Sequence, residues 1–397
     1  MPKVNPEVIV WARETAGLSQ EEAARKLGFQ DSSKSSAAEK LAALERGENE
    51  PSRPQLLKME AQYRRPLLTF YLSKPPRRGN RGVDFRTLPN DPSASDEALL
   101  DALVRDVRAR QSMVRAVLED EDEAEPLPFV GSHRIEDGPA AVLTSLESLL
   151  RLDSRGYRAE RDADAAFELL RRRAEAAGIF VLLKGDLGNH VTAIDTRTFR
   201  GFSIADKVAP FVVINDQDAR PAWSFTLLHE TVHLLLGQTG VSGTYGENEV
   251  EWFCNDVAGE FLLPSRELHL ASVDDNGDHE TLSDRVSVLA SELNVSRTMV
   301  AYKAYRAHLI NRHEFAQLSD LYRQEWLDSK AHTRAQTRHR EGGPSYYTVR
   351  SHRLGGRIMD LVRRMTAADA LSISKAARIL GVKSRQVQPL LEVRRSP

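Results

Sequence analysis

The chain has almost no cysteine. Cys254 stands alone in 397 residues, so no intrachain disulfide can staple the fold, which must rest on packing. Long apolar runs are missing too: 234–236 is about as dense as they get, far short of the roughly 20 residues a membrane helix needs. Aromatic residues make up only 7% of the chain. The opening stretch MPKVNPEVIVWARE lacks the apolar centre of a secretory signal. These absences argue against a secreted disulfide module and against a membrane protein, and the expected location is the cytoplasm. What is present, 41% hydrophobic and 28% charged residues, suits a soluble globular chain long enough for two or three domains.

Excess charge is scarce overall, at net −2, but unevenly spread. Residues 331–397 hold fourteen Lys and Arg against four Asp and Glu, so the rest is acidic. A basic tail of this kind predicts contact with a polyanion, DNA first among them. The plainer readings are a solvated basic surface or a contact with the acidic body.

The first 75 residues read as short helices. SQEEAARKLG opens with Ser19 and Glu22 in capping-box spacing and ends at a glycine. A polar turn holding DSSKSS leads into AAEKLAALERGE. One long amphipathic helix is expected over 95–119, then an acidic linker, EDEDEAEP, and helices near 138–151 and 162–177. IFVLLKG, RTFRGFSIAD and PFVVIND are the expected strands, making a sheet of three. A helix from about 222 to 236, a Gly-rich loop GQTGVSGTYG and the helix NEVEWFCNDVAGEFLLP follow. Two more helices lie in LSDRVSVLASELNVSRTMVAYKAYRAHL; the chain is then polar up to GGPSYY, beyond which it is helical.

TLLHETVHLLLG, at 226–237, carries the chemistry. A helix turns about 100° per residue, so His229 and His233 share a face one turn apart and can bind one Zn²⁺. Glu230 sits beside that face, placed to take a proton from water. A third ligand is needed. Glu251, on the helix after the Gly-rich loop, would complete a His₂Glu set with an open fourth position; Glu247, Glu249 and Cys254 are the rivals. Asn255, one turn beyond Glu251, suits a hydrogen bond to a ligand. Burying two histidines and two glutamates among Trp223, Phe225, Leu227 and Leu228 would be costly without a cation. The expected cofactor is one Zn²⁺ per chain, with Mn²⁺ or another divalent ion as the alternative. Tyr302, Tyr305 and Tyr245 are candidates to stabilise an oxyanion, and Cys254 is a candidate redox-sensitive thiol, though a buried inert thiol is the commoner case.

HETVH, the lead-in FTLLHE, the strands GIFVLLKGDLG, GFSIAD and PFVVIND, the helix EWFCNDVAGEFLLP and the trailing LNVSRTMVAYKAYR together resemble the ImmA/IrrE metallo-endopeptidases. WARETAGLSQEEAARKLG and LERGENEPSRPQLLKMEAQYRRPLLTFYL resemble the XRE-type helix-turn-helix those proteins carry, so the likeness spans most of 5–315. The resemblance implies a minimal zincin, thermolysin-like, with His229, His233 and Glu251 as ligands and Glu230 as general base. It also implies a protein substrate, an XRE-type repressor, and a role in stress or phage-related transcription. The insert DSSKSS departs from the family pattern and puts the register of DNA contacts in doubt.

The expected architecture is α+β and mostly helical: a helix-turn-helix domain at 1–80, a helical connector at 81–160, the peptidase at 161–315 and a basic helical segment at 316–397. Gln20, Ser33, Lys34, Ser35 and Lys40 are the expected DNA contacts of the first domain, although 1–50 holds seven Lys and Arg against nine Asp and Glu. The basic run at 74–86 could add phosphate contacts. ISKAARILGVKSRQVQPLLE, with Lys383 and Arg385, reads as a second helix-turn-helix or a plain helical cap. A homodimer is compatible with such a module. The rival function is a DNA-binding regulator of toxin–antitoxin or prophage type whose metal site is structural or sensory.

Overall fold

The computed structural model describes residues 3–76, 83–84, 94–242, 249–268, 279–337 and 345–393. It divides into two compact units: 1–81 with 88–107 and 186–198, and 82–87 with 108–185 and 199–397.

The first unit begins with α1 (Pro6–Glu14), α2 (Gln20–Leu27), α3 (Ala37–Glu45) and α4 (Arg53–Tyr63). Ser19 with Glu22 and Ser36 with Glu39 form capping boxes that start α2 and α3. Apolar residues at helical spacing, among them Ile9, Leu27, Leu41, Met59 and Tyr63, make its core. Glu45 is buried, and its carboxylate accepts from Arg13 Nε at 2.6 Å and Gln20 Nε2 at 2.7 Å, tying α1, α2 and α3 together.

The second unit is built on a mixed sheet with mainly helical surroundings. Its strands are β1 (Val83–Asp84), β2 (Phe180–Leu183), β3 (Gly201–Ile204), β4 (Phe211–Ile214) and β5 (Gly240–Ser242), in spatial order β1-β5-β3-β4-β2. β2 runs parallel to β4, β3 runs antiparallel to both β4 and β5, and β1 runs parallel to β5. The sheet therefore has five strands rather than the expected three. β5 lies in GQTGVSGTYG, where glycines and a serine give no strand signal, and β1 is only two residues long.

The helices follow the expected order. α5 (Ala94–Asp120) reaches this unit from residue 108 onward, and α6 (Pro139–Leu150), α7 (Ser154–Arg158) and α8 (Ala163–Ala176) precede the sheet. α9 (Arg220–Leu235) packs on β3, β4 and α8, and α10 (Glu249–Leu262) packs on α9 and α6. Then come α11 (His279–Glu292), α12 (Arg297–Arg306) and α13 (Arg312–Thr337). α13 occupies a stretch read above as merely polar. It buries only a narrow stripe, including Leu318 and Tyr322, too sparse to stand out among its charges. The tail forms α14 (Tyr346–Leu354), α15 (Gly356–Ala367), α16 (Ile373–Leu380) and the five-residue α17 (Val387–Leu391). Its turn at Gly381 is held by Arg350 Nη2, which donates to Leu380 O at 2.6 Å and Gly381 O at 3.0 Å, and it lies close against the Arg110 guanidinium. Among the described residues, no helix is long and apolar enough to cross a membrane.

Candidate metal centre

α9 is apolar nearly all round, and its residues from Ala222 to Leu235 are buried apart from Phe225, as expected of a helix packed on all sides. Its polar groups need partners inside. Thr226 and Thr231 find them locally, donating their hydroxyls to Ala222 O at 3.2 Å and Leu227 O at 2.7 Å. At its C-terminal end, Gly131 N and His133 N donate to Leu234 O and Leu235 O, both at 3.0 Å. Gly237, at φ +67°, closes the helix where a side chain would meet the Gly131 backbone.

The histidines and the glutamates form the site. His229 is 4% exposed, His233 1% and Glu251 0%. α10 brings Glu251 to the histidine face of α9, with Oε1 2.9 Å from His233 Nε2 and Oε2 3.3 Å from His229 Nε2. The two Nε2 atoms are 3.1 Å apart. Ligand atoms of all three residues lie within 4.8 Å of one another. This donor set suits a cation better than it suits itself. A carboxylate only accepts, so each imidazole must carry hydrogen on Nε2 to bond it, and two such N–H groups facing each other repel. A divalent cation among the three would instead use a lone pair from each. His233 is oriented for that role, since its Nδ1 lies 3.4 Å from Gln238 Oε1 and can donate there, leaving Nε2 free.

Glu230 is fully buried beside this cluster, and its polar neighbours are the hydroxyls of Ser242 and Ser203, neither close enough for a well-formed hydrogen bond. Burial, aided by the Glu251 charge and opposed by the His233 charge, pushes its carboxyl up to about 8. Gly201 of β3 makes room for it: a Cβ there would stand 2.8 Å from Glu230 Oε1 and 2.6 Å from Thr226 Cγ2. Burial opposes the charge on Glu251 as well, but the His229 charge and the hydrogen bonds from both imidazoles bring its carboxyl down to about 2.

The rival ligands are placed differently. Glu249 is exposed at the start of α10. Cys254 is buried, and desolvation, with the Glu251 and Glu230 charges, raises its thiol well above its ordinary range, so it stays protonated and unreactive. Glu247 and Tyr245 lie outside the described residues. Asn255 is buried on α10, while the Tyr302 and Tyr305 rings pack on Phe315 of α13 at 6.2 and 5.3 Å. In the first unit, Gln20 is engaged with Glu45, Lys40 Nζ donates to Gln30 O at 2.6 Å, and Ser35 O accepts from Ser32 N at 2.9 Å, whereas Ser33 and Lys34 are exposed. Lys383 and Arg385 are exposed near the tail's last turn. Sequence reasoning passed over Gln238, Gly201 and Ser242, whose Oγ lies 3.2 Å from His229 Nε2. None of the three sits in a motif; only the tertiary pairing of β5, β3 and α9 reveals them.

Comparison with curated proteins finds no match, and comparison with solved structures finds none either. Residues 174–305, which carry β2 to β5, α9 and α10, match the family Peptidase_M78, the IrrE N-terminal-like domain. That match indicates a metallopeptidase and supports placing this part of the chain with the ImmA/IrrE family.

Proposed function

We infer that the protein is a zinc-dependent endopeptidase fused to a DNA-binding module, and that it cleaves a transcriptional repressor of XRE type to control stress or phage-related genes. The observation that carries this reading is a fully buried glutamate beside three converging ligand groups. His229 Nε2, His233 Nε2 and the Glu251 carboxylate would hold the cation. When bound, the cation supplies positive charge for a developing oxyanion and makes water more acidic.

The chain supplies the proton transfers. Glu230 takes a proton from the attacking water on one carboxylate oxygen and passes it to the leaving amide nitrogen. The apolar walls of α9 and α10 exclude bulk water from this step and so strengthen the electrostatics within. A second donor for the oxyanion would come from Tyr302, Tyr305 or Tyr245. The rival, a regulator with a purely structural metal site, has no use for a fully buried Glu230, whose desolvation costs stability.

The DNA-binding part rests on the helical first unit and the basic tail. Ser33, Lys34, Lys383 and Arg385 are its freest contacts; Gln20, already bonded to Glu45, is the poorest. A cytoplasmic location and a homodimer belong to the same proposal. The test is co-expression with candidate repressors: the wild-type chain produces a cut band, and Glu230→Gln keeps its metal but produces none. Equal cleavage by that variant would remove Glu230 from the role of base.

A further inference from the structure

Ser242 is the last residue of β5, is 3% exposed, and reaches into the ligand cluster. Its Oγ lies 3.2 Å from His229 Nε2, 3.4 Å from His233 Nε2 and 3.5 Å from Glu251 Oε1. One hydroxyl thus faces all three ligand groups at once. Its backbone is fixed: Ser242 pairs with Gly201 in the β3–β5 ladder, and its carbonyl accepts from Arg200 N at 3.2 Å. The side chain can therefore turn about a single bond while the strand stays in place.

We propose that Ser242 Oγ is a fourth donor of the site, so that the resting protein caps its own metal. The inference builds on the reading of His229, His233 and Glu251 as ligands. Two imidazoles, a carboxylate and a hydroxyl complete a four-coordinate set, whereas a catalytic zinc needs its fourth position open. The chemistry of the cap reconciles the two. A serine hydroxyl is neutral and binds weakly, unlike a thiolate, which would close the site for good. A substrate carbonyl or water displaces it by rotating one side chain, with no rearrangement of the sheet. Ser242 thereby makes the peptidase latent: the position opens when a substrate seated against the cluster offers a better oxygen.

Two metal-loaded forms of the full-length protein test this without an activity assay. With Co²⁺ bound, Ser242→Cys gains a near-ultraviolet thiolate-to-metal absorption band that the wild type, with its buried Cys254, lacks. With Mn²⁺ bound, water-proton relaxation reads one more inner-shell water in Ser242→Ala than in the wild type. If the wild type holds one ion per chain but no band appears and the water count does not change, the cap is refuted and the three-ligand reading stands. If the wild type takes up neither ion, the ligand reading and the cap fail together.

Discussion

Replacing Gly201 by alanine adds a single methyl group where α9 crosses β3. That methyl would stand 2.6 Å from Thr226 Cγ2, 2.8 Å from Glu230 Oε1 and 3.1 Å from Glu230 Cγ, all inside contact distance. Little nearby can yield. Glu230 is fully buried, Thr226 is held by its bond to Ala222 O, and β3 is paired on both edges. Overpacking of this size costs about 1–3 kcal/mol. For a unit of this size each kcal/mol lowers Tm by roughly 2–4 °C, so a fall of about 2–12 °C is expected. The larger effect falls on chemistry: moving a proton-transfer group by about 1 Å costs on the order of 100-fold in rate. None of the three atoms nearest that methyl belongs to His229, His233 or Glu251, so metal content should hold. Thermal unfolding, metal analysis and cleavage of a co-expressed repressor read the three effects separately. A Gly201→Ala protein with unchanged Tm and full cleavage would refute the close approach of Glu230 to β3.

Other outcomes follow from the same structure. The Glu230 carboxyl is raised from 4.5 to about 8 in the folded protein, so the folded state holds a proton that the unfolded state has released between those values. The metal-free protein should therefore lose stability as pH rises from about 4.5 to 8, and Glu230→Gln should flatten that slope in chemical denaturation; an already flat wild-type profile would contradict it. Glu45→Ala removes the main partner of the nearly buried Arg13 guanidinium, leaving its bond to Leu18 O, frees Gln20, and should cost the first unit about 3 kcal/mol, read as earlier proteolysis within 1–75; unchanged protection would mean the ion pair is dispensable. Alkylating reagents should leave Cys254 unmodified in the native protein and label it only after denaturation, since its thiol is buried and held protonated; rapid native labelling would contradict this.

The site was more legible in the sequence than the fold around it. HETVH specifies its own geometry, because the spacing of two histidines on a helix needs no tertiary information, and α9 spans Arg220–Leu235 where the motif predicts a helix from about 222 to 236. β2, β3 and β4 were readable because FVLL, GFSI and FVVI concentrate strand-forming side chains. β5 was not, since GVS earns its place through pairing with β3 and not through propensity. Ser242 was hidden for the same reason. α13 escaped because its buried stripe is thin. Local pattern reveals what a helix or strand decides alone; residues brought to the site by strand pairing leave no such trace.

The central claim is that two imidazoles and one carboxylate hold a single cation. It is tested most directly by metal analysis of the purified full-length protein beside Glu251→Ala and Cys254→Ala. The account predicts about one zinc per chain in the wild type and in Cys254→Ala, and almost none in Glu251→Ala. Full zinc in Glu251→Ala, or its loss in Cys254→Ala alone, would contradict the account.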